Sequence, residues 1–176
     1  MKKNKIVLVG YMGSGKSEVG SHLKEKLVLS FWDLDSYIEK KENVTIASLF
    51  SSRGELYFRT IERKCLIELL NDPNPMIISL GGGTPCYFDT MDILIQNENV
   101  LTIYLKTSIQ ELGNRLFPTR KNRPLIAHLH NEDELKEFVG KHLFERVPFY
   151  SKSDITISTD LLRPEEVALK LASKLT

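Results

Sequence analysis

Gly10-Tyr-Met-Gly-Ser-Gly-Lys16-Ser17 fits the spacing G-x-x-x-x-G-K-[ST], the arrangement by which a backbone wraps a chain of phosphates. Glycines at these positions let successive N–H groups turn inward toward an anion. A β-rich run precedes the motif and a helical pattern follows it, so the positive end of a helix dipole adds to those amides. Gly13, Ser14, Gly15, Lys16 and Ser17 are therefore expected to bind a nucleoside triphosphate, with Lys16 reaching the β- and γ-phosphates and Ser17 giving its hydroxyl to Mg²⁺. At average composition a glycine-rich turn would match by chance in roughly 1% or less of chains this long. The strand-then-helix setting weakens that explanation further.

Three other groups of residues have spacings that suit chemistry. Asp33-Leu-Asp35 follows a short apolar run, and alternation would aim both carboxylates the same way if the strand persisted. Beside bound phosphates, one acid would suit water on Mg²⁺ and the other a substrate hydroxyl, although Asp-x-Asp is also common on surfaces. In the block Phe50-Ser-Ser-Arg-Gly-Glu-Leu-Tyr-Phe-Arg59-Thr-Ile-Glu62, Phe58, Ile61 and Cys65 share one helix face and Arg59 and Glu62 lie on another. That pair is either a solvated i,i+3 ion pair or an arginine held by Glu62 to grip an anion bidentately. Gly81-Gly82-Gly83 costs too much conformational entropy for a mere turn, and close approach of the backbone to a ligand explains it better.

Two basic features complete the set. Arg120, Lys121 and Arg123 sit in the proline-flanked segment 117–124, read as a long surface loop that would close as a lid over phosphates or else stay solvated. Arg146-Val-Pro-Phe-Tyr150 follows a helix, where an arginine is ordinarily favourable to the dipole alone.

Positioning these groups requires strands that end beside them. Candidate strands are 5–9, 30–32, 76–80, 100–105 and 154–157. Helical patterns fill 16–27, 36–41, 46–51, 55–70, 91–97, 108–117, 133–144 and 164–175. Short strands separated by helices imply an α/β fold, a parallel sheet covered on both faces with ligands at the strands' carboxyl ends.

The 176 residues suit one domain, 41% apolar and 27% charged. A net charge of +1 supplies no global field for nucleic acid or membrane. The basic start runs into only four apolar residues before Gly10, too few for a signal peptide, and nothing approaches a membrane span. Cys65 and Cys86 make neither a CxxC pair nor a Cys/His cluster and are expected to be idle thiols. These features predict a cytoplasmic protein.

Taken together and in this order, the motifs resemble shikimate kinase: the phosphate loop, Asp33-Leu-Asp35, the block from Phe50 to Glu62, Gly81 to Gly83, Arg123-Pro-Leu125 and Arg146-Val-Pro-Phe-Tyr150. The Phe-x-x-x-Gly-Glu-x-x-Phe-Arg-x-x-Glu block is the specific part, since a phosphate loop alone does not choose among kinases. The resemblance implies a P-loop three-layer α/β/α fold like that of nucleoside-monophosphate kinases. Its five-stranded parallel sheet would carry a substrate-binding region at about 34–62 and a lid at about 115–128, within one domain spanning 1–176.

It also implies ATP-dependent phosphorylation of the 3-hydroxyl of shikimate, a step toward chorismate and the aromatic amino acids. Lys16 and Ser17 would serve ATP and Mg²⁺, and Asp33 would hold the ion through water. Asp35 would bind the substrate hydroxyls and orient, or deprotonate, the attacking one. Arg59 and Arg146 would hold the carboxylate, with Gly81, Gly82 and Gly83 around the substrate and Gly82 donating its N–H. Arg123 would swing in with the lid to meet ATP and the transferring phosphoryl group, and Glu62 would hold Arg59. Whether Arg115 or Arg120 covers adenine stays open, and 159–164 carries no pattern. The expected protein is a monomer that binds small molecules and neither nucleic acid nor membrane.

Two kinds of alternative remain. A gluconate-type or nucleoside-monophosphate kinase would share the loop but not the Gly-Glu-x-x-Phe-Arg block or the triple glycine. A GTPase-like switch would need the Asn-Lys-x-Asp guanine signature, which the sequence lacks.

Overall fold

A computed structural model describes residues 3–175, so Met1 and Lys2 of the basic start and the terminal Thr176 lie outside the described residues. The chain opens with β1 (Lys5–Val9), α1 (Lys16–Leu27), β2 (Ser30–Asp33), α2 (Leu34–Glu42), α3 (Ile46–Arg53) and α4 (Glu55–Asn71). It continues with β3 (Met76–Ser79), α5 (Thr90–Gln96), β4 (Val100–Lys106) and α6 (Ile109–Leu116), then α7 (Glu132–Tyr150), β5 (Ile155–Ser158) and α8 (Pro164–Leu175). Short 3₁₀ turns occupy Thr84–Cys86 and Phe117–Asn122.

All strand pairings are parallel, in the order β2-β3-β1-β4-β5. Side-chain alternation splits each central strand between two apolar clusters. Val7 and Val9 of β1 join Met76 and Ile78 of β3 and Val100 and Tyr104 of β4 on one face. Ile6, Leu8, Ile77, Ile103 and Leu105 point to the other. Helices α1 and α8 cover the second face through Val19, Leu23, Val167 and Leu171. Helices α2 to α7 cover the first, burying among others Ile38, Leu49, Phe58, Leu66, Leu94, Leu112 and Val139. The result is the three-layer arrangement expected of a five-stranded parallel sheet. β1 lies between β3 and β4, so its carboxyl end is the switch point where such sheets bind ligands.

Three local readings change. β2 stops at Asp33, whose carboxylate caps α2 by accepting from the Ser36 N–H at 3.3 Å, so Asp33 and Asp35 are not two strand residues on one face. α7 does not end near residue 144 but runs through Pro148 to Tyr150. The proline falls in the last turn, and the fully buried Tyr150 beyond it carries the helix on. Arg146 therefore lies within a helix rather than after one. The segment 117–124 is a 3₁₀ turn for most of its length, pinned where Arg120 donates to the carbonyls of Phe117 at 2.8 Å and Leu129 at 3.0 Å. Among the described residues no helix is long and apolar enough to cross a membrane.

Candidate active site

The phosphate loop leaves β1 and enters α1 through left-handed backbone at Gly13 (φ 81°) and Gly15 (φ 88°), a region costly for any side chain. Lys16 is 8% exposed, and its ammonium donates to the carbonyls of Gly10 at 2.8 Å and Tyr11 at 3.0 Å. Burial lowers its pKa to about 8, against the pull of Asp35 and Asp33, while Arg123 and Arg146 lower it further. The Ser17 hydroxyl donates to Asp33 Oδ2 at 2.6 Å, so the two groups expected at the ion already meet. Ser14 Oγ is buried without a hydrogen-bond partner, as suits a loop built for an outside ligand.

Asp35 sits in the first turn of α2. Burial pushes its pKa up to about 6, with the Glu62 and Asp33 charges adding and Lys16 and Arg59 opposing. Glu62 is 2% exposed and divides its oxygens. One accepts from the Thr84 hydroxyl at 2.5 Å and the other from Arg59 Nη1 at 2.8 Å. Arg59 also reaches Glu55 at 3.4 Å and lies 4.1 Å from the centre of the Tyr87 ring. The pair is thus a fixed arginine with acids on two sides rather than a solvated surface bridge. Its Nε–H is buried and unpartnered.

The triple glycine has a steric cause. None of the three is among the glycines with positive φ. A Cβ on Gly81 would lie 2.9 Å from Thr84 Oγ1 and 3.1 Å from Glu62 Oε1, and one on Gly82 would lie 3.1 Å from the Met12 amide nitrogen. On Gly83 it would strike Arg59 Nη2 at 2.7 Å. The turn is bare because the phosphate loop on one side and the Arg59–Glu62 pair on the other close onto it.

These elements border a cleft of about 700 Å³ whose lining includes Lys16, Ser17, Asp33, Asp35, Gly81, Gly82, Arg115 and Arg123, together with Leu162, Arg163 and Pro164. Arg59, Gly83 and Arg146 stand outside that lining. Arg59 joins it through Glu62, whose charge acts on Asp35. Arg146 lies over the ring of Tyr11, 5.4 Å from its centre, and its charge acts on Lys16 in the lining. Both arginines act on the Cys86 thiol, which burial pushes up to about 11. Arg123 brings a second buried, unpartnered Nε–H into the cleft.

Arg115 and Arg120 part company. Arg115 lines the cleft, paired with Glu111 at 2.8 Å and donating to Thr159 O at 2.8 Å and Gly13 O at 3.4 Å. Arg120 is spent on the carbonyls of Phe117 and Leu129 and on the face of Phe117. The i,i+4 spacing of Glu111 and Arg115 was a usable sequence signal, whereas nothing local marks 162–164 as part of a cleft.

Residues 12–176 match the family model described as Shikimate kinase. The shikimate kinase of Flavobacterium johnsoniae is 44% identical over 156 residues, covering 89% of this chain and 90% of that one. Among solved structures, the shikimate kinase of Bacteroides thetaiotaomicron superposes with a TM-score of 0.86 at 34% identity, covering 97% of both chains. That of Acinetobacter baumannii, in complex with shikimate, gives 0.84 at 33%, covering 98% of this chain and 93% of that one. The matched span holds every acid and arginine that surrounds the cleft.

Proposed function

The chain belongs to the shikimate kinase family, and from that premise we propose that this cleft carries out the family's phosphoryl transfer with Lys16, Asp35 and Arg123 at the reacting atoms. The activity is shikimate kinase activity, an ATP-dependent step of aromatic amino acid biosynthesis. The observation that carries the residue assignment is one cleft holding the phosphate-loop lysine, a buried carboxylate with an upward-shifted pKa, and Arg123. Shikimate is a small polyol with a carboxylate at one end. Arg59 and Arg146 bind that carboxylate, and Asp35 takes the 3-hydroxyl at the other end. Gly81, Gly82 and Gly83 give the ring a wall without side chains, and the Gly82 N–H donates to it.

Asp35 accepts the hydroxyl proton as the oxygen attacks the γ-phosphorus of ATP, and ADP departs. Lys16 neutralises the β- and γ-oxygens, while Gly13, Ser14, Gly15 and Ser17 hold the triphosphate. Arg123 brings its free Nε–H onto the transferring group. Arg115, which lines the cleft together with 162–164 and bonds Thr159 O, covers adenine.

Mg²⁺ belongs with ATP. Among the described residues no cluster of three His, Cys, Asp or Glu could hold a metal. Mg²⁺ manages with one or two carboxylates plus substrate phosphates. Ser17 and Asp33, already 2.6 Å apart, fit that need, with Asp33 acting through water. The bound ion supplies charge neutralisation at the β- and γ-oxygens. Chelation with EDTA is expected to stop turnover, and Ser17→Ala to raise the Mg²⁺ concentration for half-maximal rate about 10-fold. A magnesium titration of both proteins checks this.

Within a single unit over 1–176, residues 34–62 form the substrate region and 115–128 the lid, and the enzyme acts as a monomer. ADP release coupled to NADH oxidation, with ATP, Mg²⁺ and shikimate, tests the function. Inert shikimate, with strong turnover of gluconate or a nucleoside monophosphate, would refute it.

Arg59→Ala is expected to raise KM for shikimate by about 10- to 100-fold, the worth of a lost charge-assisted pair of hydrogen bonds. KM for ATP should move little. Equal increases in both constants would remove Arg59 from the substrate end.

A further inference from the structure

His142, Arg146 and Tyr150 recur every fourth residue along α7, which places them in one stripe. The stripe meets the site at three points. The Tyr150 hydroxyl donates to the Gly82 carbonyl. The Tyr11 hydroxyl lies 3.2 Å from His142 Nδ1. The Arg146 guanidinium lies 5.4 Å from the centre of the Tyr11 ring. Tyr11 is the second residue of the phosphate loop and is 1% exposed. Its carbonyl accepts from the Lys16 ammonium at 3.0 Å.

Arg59 and Arg146 are held by different means. Arg59 is clamped by the carboxylates of Glu55 and Glu62. Arg146 has no carboxylate within ion-pair distance among the described residues; it meets the Tyr11 ring and the Tyr150 hydroxyl instead. An aromatic face orients a guanidinium without neutralising it and so leaves its N–H fork free for an incoming carboxylate. The ring is itself held in place. Phe138 packs on His142 with ring centres 4.2 Å apart. Burial, with Arg146 adding, lowers the His142 pKa, which favours the neutral ring whose Nδ1 can accept a hydrogen bond from the Tyr11 hydroxyl.

We propose that Tyr11, anchored by His142, is a positioning residue for Arg146, tying the grip on the substrate carboxylate to the loop that holds Lys16. The inference rests on the reading that Arg146 binds that carboxylate.

A double-mutant cycle on KM for shikimate tests it. Tyr11→Leu is expected to raise that constant about 10-fold while KM for ATP changes less than about 3-fold, and Tyr11→Phe, which keeps the ring, to recover most of the loss. In an Arg146→Ala background, Tyr11→Leu should add less than about 2-fold. Full additivity of the two substitutions would overturn the proposal and leave the role of Arg146 standing. An Arg146→Ala enzyme with the parent KM for shikimate would instead overturn the reading of the site. Thermal unfolding by circular dichroism checks that each variant is folded. If Tyr11→Leu is not, the cycle runs with His142→Leu, expected to raise KM about 3-fold alone, to be restored by His142→Gln, and to add nothing to Arg146→Ala. Additivity there overturns the proposal in the same way.

Discussion

Lys16→Ala is expected to lower kcat by at least about 1,000-fold, a loss on the order of 4 kcal/mol of transition-state stabilisation. The reason lies in where the ammonium sits. It is buried, held by two loop carbonyls, and placed where the β- and γ-oxygens of ATP would come, so little water can replace it. Lys16→Arg is not expected to rescue activity, because a planar fork does not fit a niche cut for a point charge. Burial also sets a pH signature. With a pKa lowered to about 8, the free enzyme loses this charge as pH rises through that value, and its affinity for ATP should fall there. Single-turnover rates and ATP binding measured between about pH 7 and 9.5 check both points. A Lys16→Ala enzyme with near-parent kcat would dissociate the loop from the chemistry.

Asp35→Asn is expected to lower kcat by about 100- to 10,000-fold, the range for removal of a positioned general base. ATP binding should persist, because in the proposed arrangement Asp35 serves the hydroxyl rather than the triphosphate. In the parent enzyme Asp35 must be ionised to act. Its pKa is raised to about 6, so kcat/KM for shikimate should fall as pH drops through that value.

The same shift makes a statement about stability with the opposite sign. A carboxyl at about 6 in the fold and 3.8 when unfolded binds more protons folded across that window. Stability therefore decreases as pH rises between the two values and levels off above them. Asn removes that penalty. The variant is expected to unfold at a higher temperature than the parent near pH 7.5, with the difference vanishing below about pH 4. Calorimetric melting of both proteins across that range, beside their pH–rate profiles, tests the pair of effects. A variant that is no more stable at neutral pH would show that burial does not strain this carboxylate.

Much of the machinery lies within short stretches of chain and could be read there. The phosphate loop is eight contiguous residues whose shape follows from glycine conformations and the start of a helix. Arg59 and Glu62 are three residues apart on one helix, and their bond needs only that helix. The five parallel strands showed as short apolar, β-rich runs, continuous in the central strands because each feeds two cores at once. Such features depend on interactions within a turn or two.

Elsewhere the local pattern pointed to the residue and missed its setting. Asp33 and Asp35 were legible as an acidic pair. That one would bond Ser17 while the other entered a helix and a shared field with Glu62 depended on where the strand stopped. The triple glycine was legible as an anomaly. Its cause is the closing of the loop and the Arg59 guanidinium onto the turn, which no neighbouring residue announces.

The sequence by itself determined the fold class, the phosphate loop and the types of residue proposed for the substrate end. The tertiary structure alone decided that Arg115 rather than Arg120 borders the cleft, that Arg146 belongs to a helix running on to Tyr150, and that Tyr11 meets His142. The physical reason is distance along the chain. Arg115 is fixed by Thr159, Tyr150 by Gly82, and Tyr11 by a histidine 131 positions away. Contacts of that span form only when whole helices pack on the sheet, and their partners are chosen by the packing rather than by any local spacing.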